Sequence, residues 1–502
     1  MYYIQEVDFT RASGLQAVDP VPDLITGNGI SSDPTSLASL GRPVSGVAAD
    51  GASRLVLRAL AASVGDTVTL TLFNDQDAQS NSPTADGILT SMDGTVASSQ
   101  IQATAVSTAQ GPMAFAFYLP PTDFARVGNA ADSLIYQRYV FIQEEDNQTG
   151  AQAPTPILIL RPPVLLVHGL WGSPSDFAGI QNSLTSAASM FCPQACIGTA
   201  DYSDPTPISS PIPSYPSSVL GSALGFAYNA PTVLGRIEKE ISNFRYSNNA
   251  AATQVDVVAH SMGGDITRML ATLPNYQDSA SFGIGNVHKL ITIGTPFLGS
   301  PVPNQLFLLQ NSCPAYMLGQ FGGKWSIAVA DVAGVQWNGA VNDLQTGSTA
   351  FSILQNSTGP GVATGIIAAT TIGANLANMP VGSCNPLSNN PSLCGGVVIQ
   401  TACSTSPLAQ ALTPNGWTQV LGGPADGIVP LTSQVNNYSG GSSSSPIIET
   451  GGLIHSAGLL NLGLIGPTVL DANNIPGNVS INIVNDIVTW LNAPFSTFQI
   501  IH

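Results

Sequence analysis

Residues Val255 to Arg268 read VDVVAHSMGGDITR. Val255 to Val258 have the pattern of a buried strand, and after Gly263 and Gly264 the apolar spacing of Ile266, Met269 and Leu270 becomes helical. A strand that turns at once into a helix holds its apex residue, here Ser261, in a sparsely populated backbone conformation. The residues two before and two after that apex must then be small, and Ala259 and Gly263 meet the demand. Such a turn lifts the Ser261 hydroxyl clear of the sheet and sets the Met262 N–H at a helix start, where it can face a developing negative charge.

The surrounding composition narrows the class. The 502 residues exceed an ordinary single domain, so two or more domains are expected. Charged residues make up only 9% and the net charge is −17, which argues against nucleic acid or an anionic membrane as an electrostatic partner but not against a neutral lipid or polyester surface. Six cysteines without C-x-x-C spacing (Cys192, Cys196, Cys313, Cys384, Cys394, Cys403) suit disulfides in an oxidising, extracellular setting. Cys384 and Cys394 flank a loop with little core of its own and are the expected pair. No secretion signal is read in MYYIQEVDFT. No 18-residue apolar run occurs; Gly361 to Gly382 is interrupted by Asn375, Asn378 and Pro380.

Residues 1–150 predict an all-β unit with strands over Ser53–Leu60, Asp66–Phe73, Ala97–Val106, Pro112–Leu119 and Tyr136–Glu144. Short strands and Gly/Asp/Asn/Pro turns indicate a β-sandwich, which loosely resembles immunoglobulin-like modules attached to bacterial enzymes. The unit has no His or Cys, so it is expected to fold by itself and supply no reacting group. DNQTGAQAPTP, Asp146 to Pro156, reads as the linker.

From Ile157 strands and helices alternate, the mark of a parallel sheet. The apolar run Val164–Val167 ends in His168-Gly169-Leu170-Trp171-Gly172, Thr232–Ser247 predicts a helix, and Lys289–Gly294 a second buried strand that ends in Thr295-Pro296-Phe297-Leu298-Gly299-Ser300. Together the A-H-S-M-G-G turn, the HG-x-x-G loop and the T-P-x-x-G-S segment resemble the α/β-hydrolase family, in the variant with Ala at the first elbow position found in bacterial lipases. The resemblance covers about 340 residues from Ile157. It implies residues 151–502 as an α/β-hydrolase catalytic domain, mostly parallel sheet flanked by helices, with lid insertions at about 301–361 and 373–415.

It also implies Ser261 as nucleophile, with Leu170 and Met262 giving the oxyanion-hole N–H groups and His168 a structural brace. The family order of nucleophile, acid, base leaves His288, His455 and His502 as candidate bases. His455 in GGLIHSAGL resembles the family's histidine loop, while His288 precedes a strand and His502 is terminal. Asp426 in GGPADGIVPLTSQ matches the acid loop, although most Asp-Gly pairs are only turns. Asp331, Asp343 and Asp471 are the alternatives. The implied function is carboxylic-ester hydrolysis through an acyl-enzyme on an ester or lipid-like, even polymeric, substrate, with no cofactor and no metal. A thioesterase, acyltransferase or polyester depolymerase would use the same groups, and a binding or adhesion protein that kept the fold is the non-enzymatic alternative.

Overall fold

The computed structural model describes residues 14–21, 25–26, 29–30, 33–74, 82–186, 196–207, 218–304, 339–370, 421–436, 447–451, 453, 455, 468–470 and 483–502. The predicted insertion at 373–415, Asp331, Asp471, the 305–338 part of the first insertion and the pair Cys384 and Cys394 lie outside these residues. Cys196 is buried and disulfide-bonded.

Two seven-stranded sheets form the N-terminal part. One is wholly antiparallel, in the order Arg42–Pro43, Leu15–Asp19, Leu55–Leu60, Gly111–Leu119, Ile88–Thr90, Ala97–Ser98, with Val106–Thr108 beside Gly111–Leu119. The other runs Gln100–Thr104, Thr67–Phe73, Gln137–Asp146, Thr155–Leu160, Gly46–Ala48, Ala250–Ala251, with Gly150–Ala151 beside Gln137–Asp146. Leu55 and Leu57 of the first and Leu70, Leu72, Val140, Ile142 and Ile157 of the second share one buried core. Along the longer strands alternate side chains face it, Leu55, Leu57 and Ala59 in one and Val68, Leu70 and Leu72 in another, as the period of two requires.

In the second sheet, call Gly46–Ala48 β1, Gln137–Asp146 β2 and Thr155–Leu160 β3. The expected linker is not a linker. β2 continues to Asp146, turns over Gln148 and Thr149, and β3 returns antiparallel along it from Ile142↔Thr155 to Gln137↔Leu160. The polar composition of Asp146–Pro156 is that of a hairpin tip, where Asp146 Oδ1 accepts the Gln148 and Thr149 amides. The first sheet unit therefore extends to Leu160, and the parallel sheet begins at Val164.

That parallel sheet has the order Ile197–Ala200, Val164–Val167, Val255–His260, Val287–Ile293, Val362–Thr370, Ile447–Gly451, with the antiparallel Gln499–Ile501 beside Val362–Thr370. In chain order these strands are β4 (Val164–Val167), β5 (Ile197–Ala200), β7 (Val255–His260), β8 (Val287–Ile293), β9 (Val362–Thr370), β10 (Ile447–Gly451) and β11 (Gln499–Ile501), and β6 is Ala250–Ala251. β4, β7 and β8 are buried along their whole length, so their apolar runs do not alternate. Helices α1 (Ala178–Thr185), α2 (Phe226–Asn248), α3 (Met262–Leu270) and α6 (Ile483–Asn492) cover the sheet through Ile180, Ile237, Phe244, Ile266, Leu270, Ile487 and Trp490. α2 starts six residues before the expected helix and ends at Asn249, whose φ of 44° stops it.

The two sheet units interlock. β6 pairs parallel with β1, which makes a piece of the second half the edge strand of an N-terminal sheet. Arg42 donates to the Asn249 side chain and the Ala250 carbonyl, Arg161 reaches Asn492, and Lys289 lies 3.7 Å from Asp123. The first unit expected to stand alone thus shares one of its sheets with a later part of the chain. The described end of the first predicted insertion is not lid-like either. Helices α4 (Ala340–Asp343) and α5 (Thr349–Gln355) bury Ala340, Phe351 and Leu354 in the main core, and Phe351 meets Phe226 edge to face at 5.5 Å. Among the described residues no helix is long and apolar enough to cross a membrane.

Candidate active site

Ser261 stands between β7 and α3 with φ 54° and ψ −130°, a strained conformation for a residue with a Cβ. Both its backbone polar groups are tied down. Its N–H donates to the Ile293 carbonyl at 2.9 Å, and its carbonyl accepts from the Thr295 hydroxyl at 2.9 Å and the Gly264 amide at 3.1 Å. The glycines that follow are steric necessities. A Cβ at Gly263 would lie 2.5 Å from the Val167 carbonyl oxygen, and one at Gly264 would lie 2.3 Å from the Thr295 hydroxyl.

Three residues far apart in sequence meet at this turn. His455 Nε2 lies 2.8 Å from Ser261 Oγ, and His455 Nδ1 lies 2.7 Å from Asp426 Oδ2. All three are buried. Asp426 is both a turn former and a partner of His455. Its Oδ1 accepts the Ile428 and Val429 amides at 3.0 and 2.8 Å around Gly427, whose φ is 95°, and this leaves Oδ2 for the imidazole. The Asp426 carbonyl also accepts the His455 amide at 2.9 Å. With its ring N–H committed to a carboxylate, His455 presents an acceptor nitrogen to the serine hydroxyl.

The acid loop is braced by the segment after β8. Ser300 donates to the Ile428 carbonyl, Ser433 donates to the Gly299 carbonyl, and the buried Gln434 side chain donates to Val429 and Ala369 and accepts from Ala369. Thr295 to Ser300 thus has a nearer task than opening an insertion. Gly294, with φ 60°, leaves room for the pair: a Cβ there would stand 3.1 Å from Asp426 Oδ2 and 3.3 Å from His455 Nδ1.

The loop after β4 lies against the serine. A Cβ on Gly169 would be 2.9 Å from Ser261 Cβ, which puts Leu170 beside the turn, and Met262 is the first residue of α3. His168 is a brace, as expected. Its ring stacks on Tyr202 at 3.9 Å, its carbonyl accepts the Tyr202 hydroxyl, and burial lowers its imidazole below the usual range.

The other expected candidates are elsewhere. His288 is in β8 and pairs with Asp256 at 2.8 Å, one residue from the far end of β7 from Ser261. His502 is exposed, with its carbonyl bonded to Arg268. Asp343 accepts the Phe226 amide at 2.8 Å and so caps α2, whose own Ncap residue, Gly225, has no side chain to do so. Burial pushes the Asp343 carboxyl up to about 7. Sequence reasoning missed His260, whose Nε2 lies 3.1 Å from the His455 carbonyl, and Gln434; both act across long sequence separations that leave no local pattern. Among the described residues no cluster of His, Cys, Asp and Glu could hold a metal ion.

Residues 233–379, under a third of the chain, match the PGAP1-like alpha/beta domain. With the parallel sheet and the strand-serine-helix turn, this makes the second half an α/β-hydrolase fold. Similar solved structures include the mature lipase BlEst2 of Bacillus licheniformis, 18% identical with a TM-score of 0.31, over 61% of this chain and 86% of that one. Phospholipase PlaB of Legionella pneumophila is 12% identical with a TM-score of 0.39, over 66% of this chain and 60% of that one. Lipase 1 of Pelosinus fermentans is 14% identical with a TM-score of 0.32, over 66% and 98%. No curated protein matches the chain.

Proposed function

We propose that the chain is a serine carboxylic-ester hydrolase of the lipase or esterase type, with Ser261 as nucleophile, His455 as general base and Asp426 as the group that orients it. The observation that carries this reading is the unbroken contact from Asp426 Oδ2 through His455 to Ser261 Oγ, at 2.7 and 2.8 Å, on a strained turn. Ser261 Oγ attacks the ester carbonyl carbon as its proton passes to His455 Nε2. The tetrahedral oxyanion is held by the Met262 and Leu170 N–H groups, and His455 returns the proton to the departing alcohol. Water, deprotonated by His455, then attacks the acyl-Ser261 carbonyl and releases the carboxylic acid.

The N-terminal sheets are read as an accessory β-sandwich of immunoglobulin-like kind that contributes no reacting group. This is supported by the absence of His and Cys before residue 160 and by the second half's supplying all three groups in contact at the site. An extracellular, oxidising setting accords with the bonded Cys196.

Hydrolysis of a series of p-nitrophenyl esters of increasing acyl length, alongside labelling by a fluorophosphonate, tests the reading. Ser261→Ala should abolish labelling and lower kcat by about 10⁴- to 10⁶-fold, with His455→Ala close behind and the double variant no worse. A folded wild-type chain that neither turns over any ester nor takes the label would overturn it.

A further inference from the structure

We infer that His260, the residue before the nucleophile, is a positioning residue for His455; the inference rests on the ester-hydrolase reading above. His260 is buried at the end of β7. Its Nε2 lies 3.1 Å from the backbone carbonyl of His455, and the two rings lie 4.9 Å apart at 39°. A carbonyl only accepts, so His260 carries its proton on Nε2 and donates it.

His455 owes its place to contacts from other parts of the chain. Its amide donates to the Asp426 carbonyl, its carbonyl accepts from His260, and its ring nitrogens meet Asp426 and Ser261. The amide contact alone would leave the residue free to swing about one point. The second contact, from the strand that carries Ser261, fixes the base directly to the nucleophile's own element. The other edge of the His260 ring faces the oxyanion-side loop: a Cβ on Gly169 would lie 3.3 Å from His260 Nδ1. One imidazole thus touches the base and abuts the loop next to the serine.

The chemistry also requires that this donor stay neutral. In the transition state His455 becomes an imidazolium, and a second positive charge 4.9 Å away would oppose it. Burial, with the His455 ring beside it, holds His260 well below the usual imidazole range, which agrees with a neutral donor. A neutral side chain of similar reach with an N–H at its tip meets the requirement; a shape-filling ring without a donor does not.

Two substitutions separate positioning from packing. His260→Gln keeps an amide donor and loses the ring; His260→Phe keeps an aromatic ring and loses the donor. We expect the Gln variant to retain kcat within about fivefold and the Phe variant to lose about 10- to 100-fold in kcat with KM unchanged. The rate of fluorophosphonate labelling should fall in parallel with kcat, because attack by Ser261 needs the same base. His260→Asn, with its shorter amide, replaces the Phe variant if that one does not fold. Equal kcat in the Gln and Phe variants, or retention by Phe and loss by Gln, would overturn the role of His260 while leaving wild-type turnover and the Ser261 reading intact. Absence of turnover and labelling in the wild type would overturn both.

Discussion

The Asp50 carboxylate accepts the amide of Thr253 at 2.8 Å across some two hundred residues of sequence. The same side chain accepts the Gln254 amide at 3.2 Å and the Ala52 and Ser53 amides at 3.0 and 2.8 Å. One buried carboxylate in the N-terminal unit thus sets the entry to β7, whose far end carries Ser261. Asp50→Ala strands several buried donors and should cost about 3 kcal/mol of stability, read as a lower denaturant midpoint. Asp50→Asn, which keeps an acceptor oxygen, should cost less.

A chain that starts at Gln152 keeps β3 but loses β1 and β2, the strands on either side of it, and with them the partner of β6. Three apolar positions of the shared core, Ile157, Ile159 and Ala251, would then face water. Such a chain should be insoluble or elute as an aggregate in size-exclusion chromatography. A monodisperse, cooperative unfolding species would contradict the interlock.

Gly294→Ala puts a methyl between the acid and the base, at a φ of 60°. The backbone penalty is about 1 kcal/mol. Activity should suffer more, with kcat reduced about 10- to 100-fold, because the methyl presses on Asp426 Oδ2 and His455 Nδ1 directly. Comparing the loss in kcat with the shift in Tm separates the two effects.

Asp426→Asn preserves size and one acceptor oxygen for the Ile428 and Val429 amides. Its NH2 group then faces His455 Nδ1 and drives the imidazole to the tautomer with a proton on Nε2, which cannot accept from Ser261. The expected loss in kcat is about 10²- to 10⁴-fold in a protein that still folds, checked by steady-state kinetics and circular dichroism. Near wild-type activity would remove Asp426 from the role.

Glu240 on α2 lies over the edge strand β5, close to the Gly198 backbone, and burial pushes its carboxyl up to about 7 from 4.5. The folded state therefore favours the neutral form. Its contribution to stability is fully present below pH 4.5 and is lost as pH rises through about 7. Glu240→Gln should flatten that part of the stability profile, measured by denaturant unfolding at a series of pH values.

The turn at Ser261 was legible as small residues around an apex and the Asp426 loop as an Asp-Gly turn, while the loops of Gly169 and His455 were read from short motifs of the resemblance. Buried strands were legible from runs such as Val164–Val167. What was not legible is non-local. Thr155–Leu160 had strand residues, but nothing within them says that they return along Gln137–Asp146 rather than open the next sheet. Ala250–Ala251 is too short to carry any period, and its pairing with Gly46–Ala48 depends on a helix that ends at Asn249. Asp343 was weighed as an acid and is a helix cap, because the amide that it meets is 117 residues away.

The pairing of β6 with β1 also sets an order of events during synthesis. β3 supplies one neighbour of β1 by residue 160, but the other, at residues 250–251, leaves the ribosome about ninety residues later. At about 5 to 20 residues per second, that interval is on the order of 5 to 20 s. Throughout it the growing chain carries an N-terminal sheet with one open edge, the position from which strands pair with the wrong neighbour. The brevity of β1, three residues, limits the hydrogen bonds that a foreign strand can gain there before its own partner arrives.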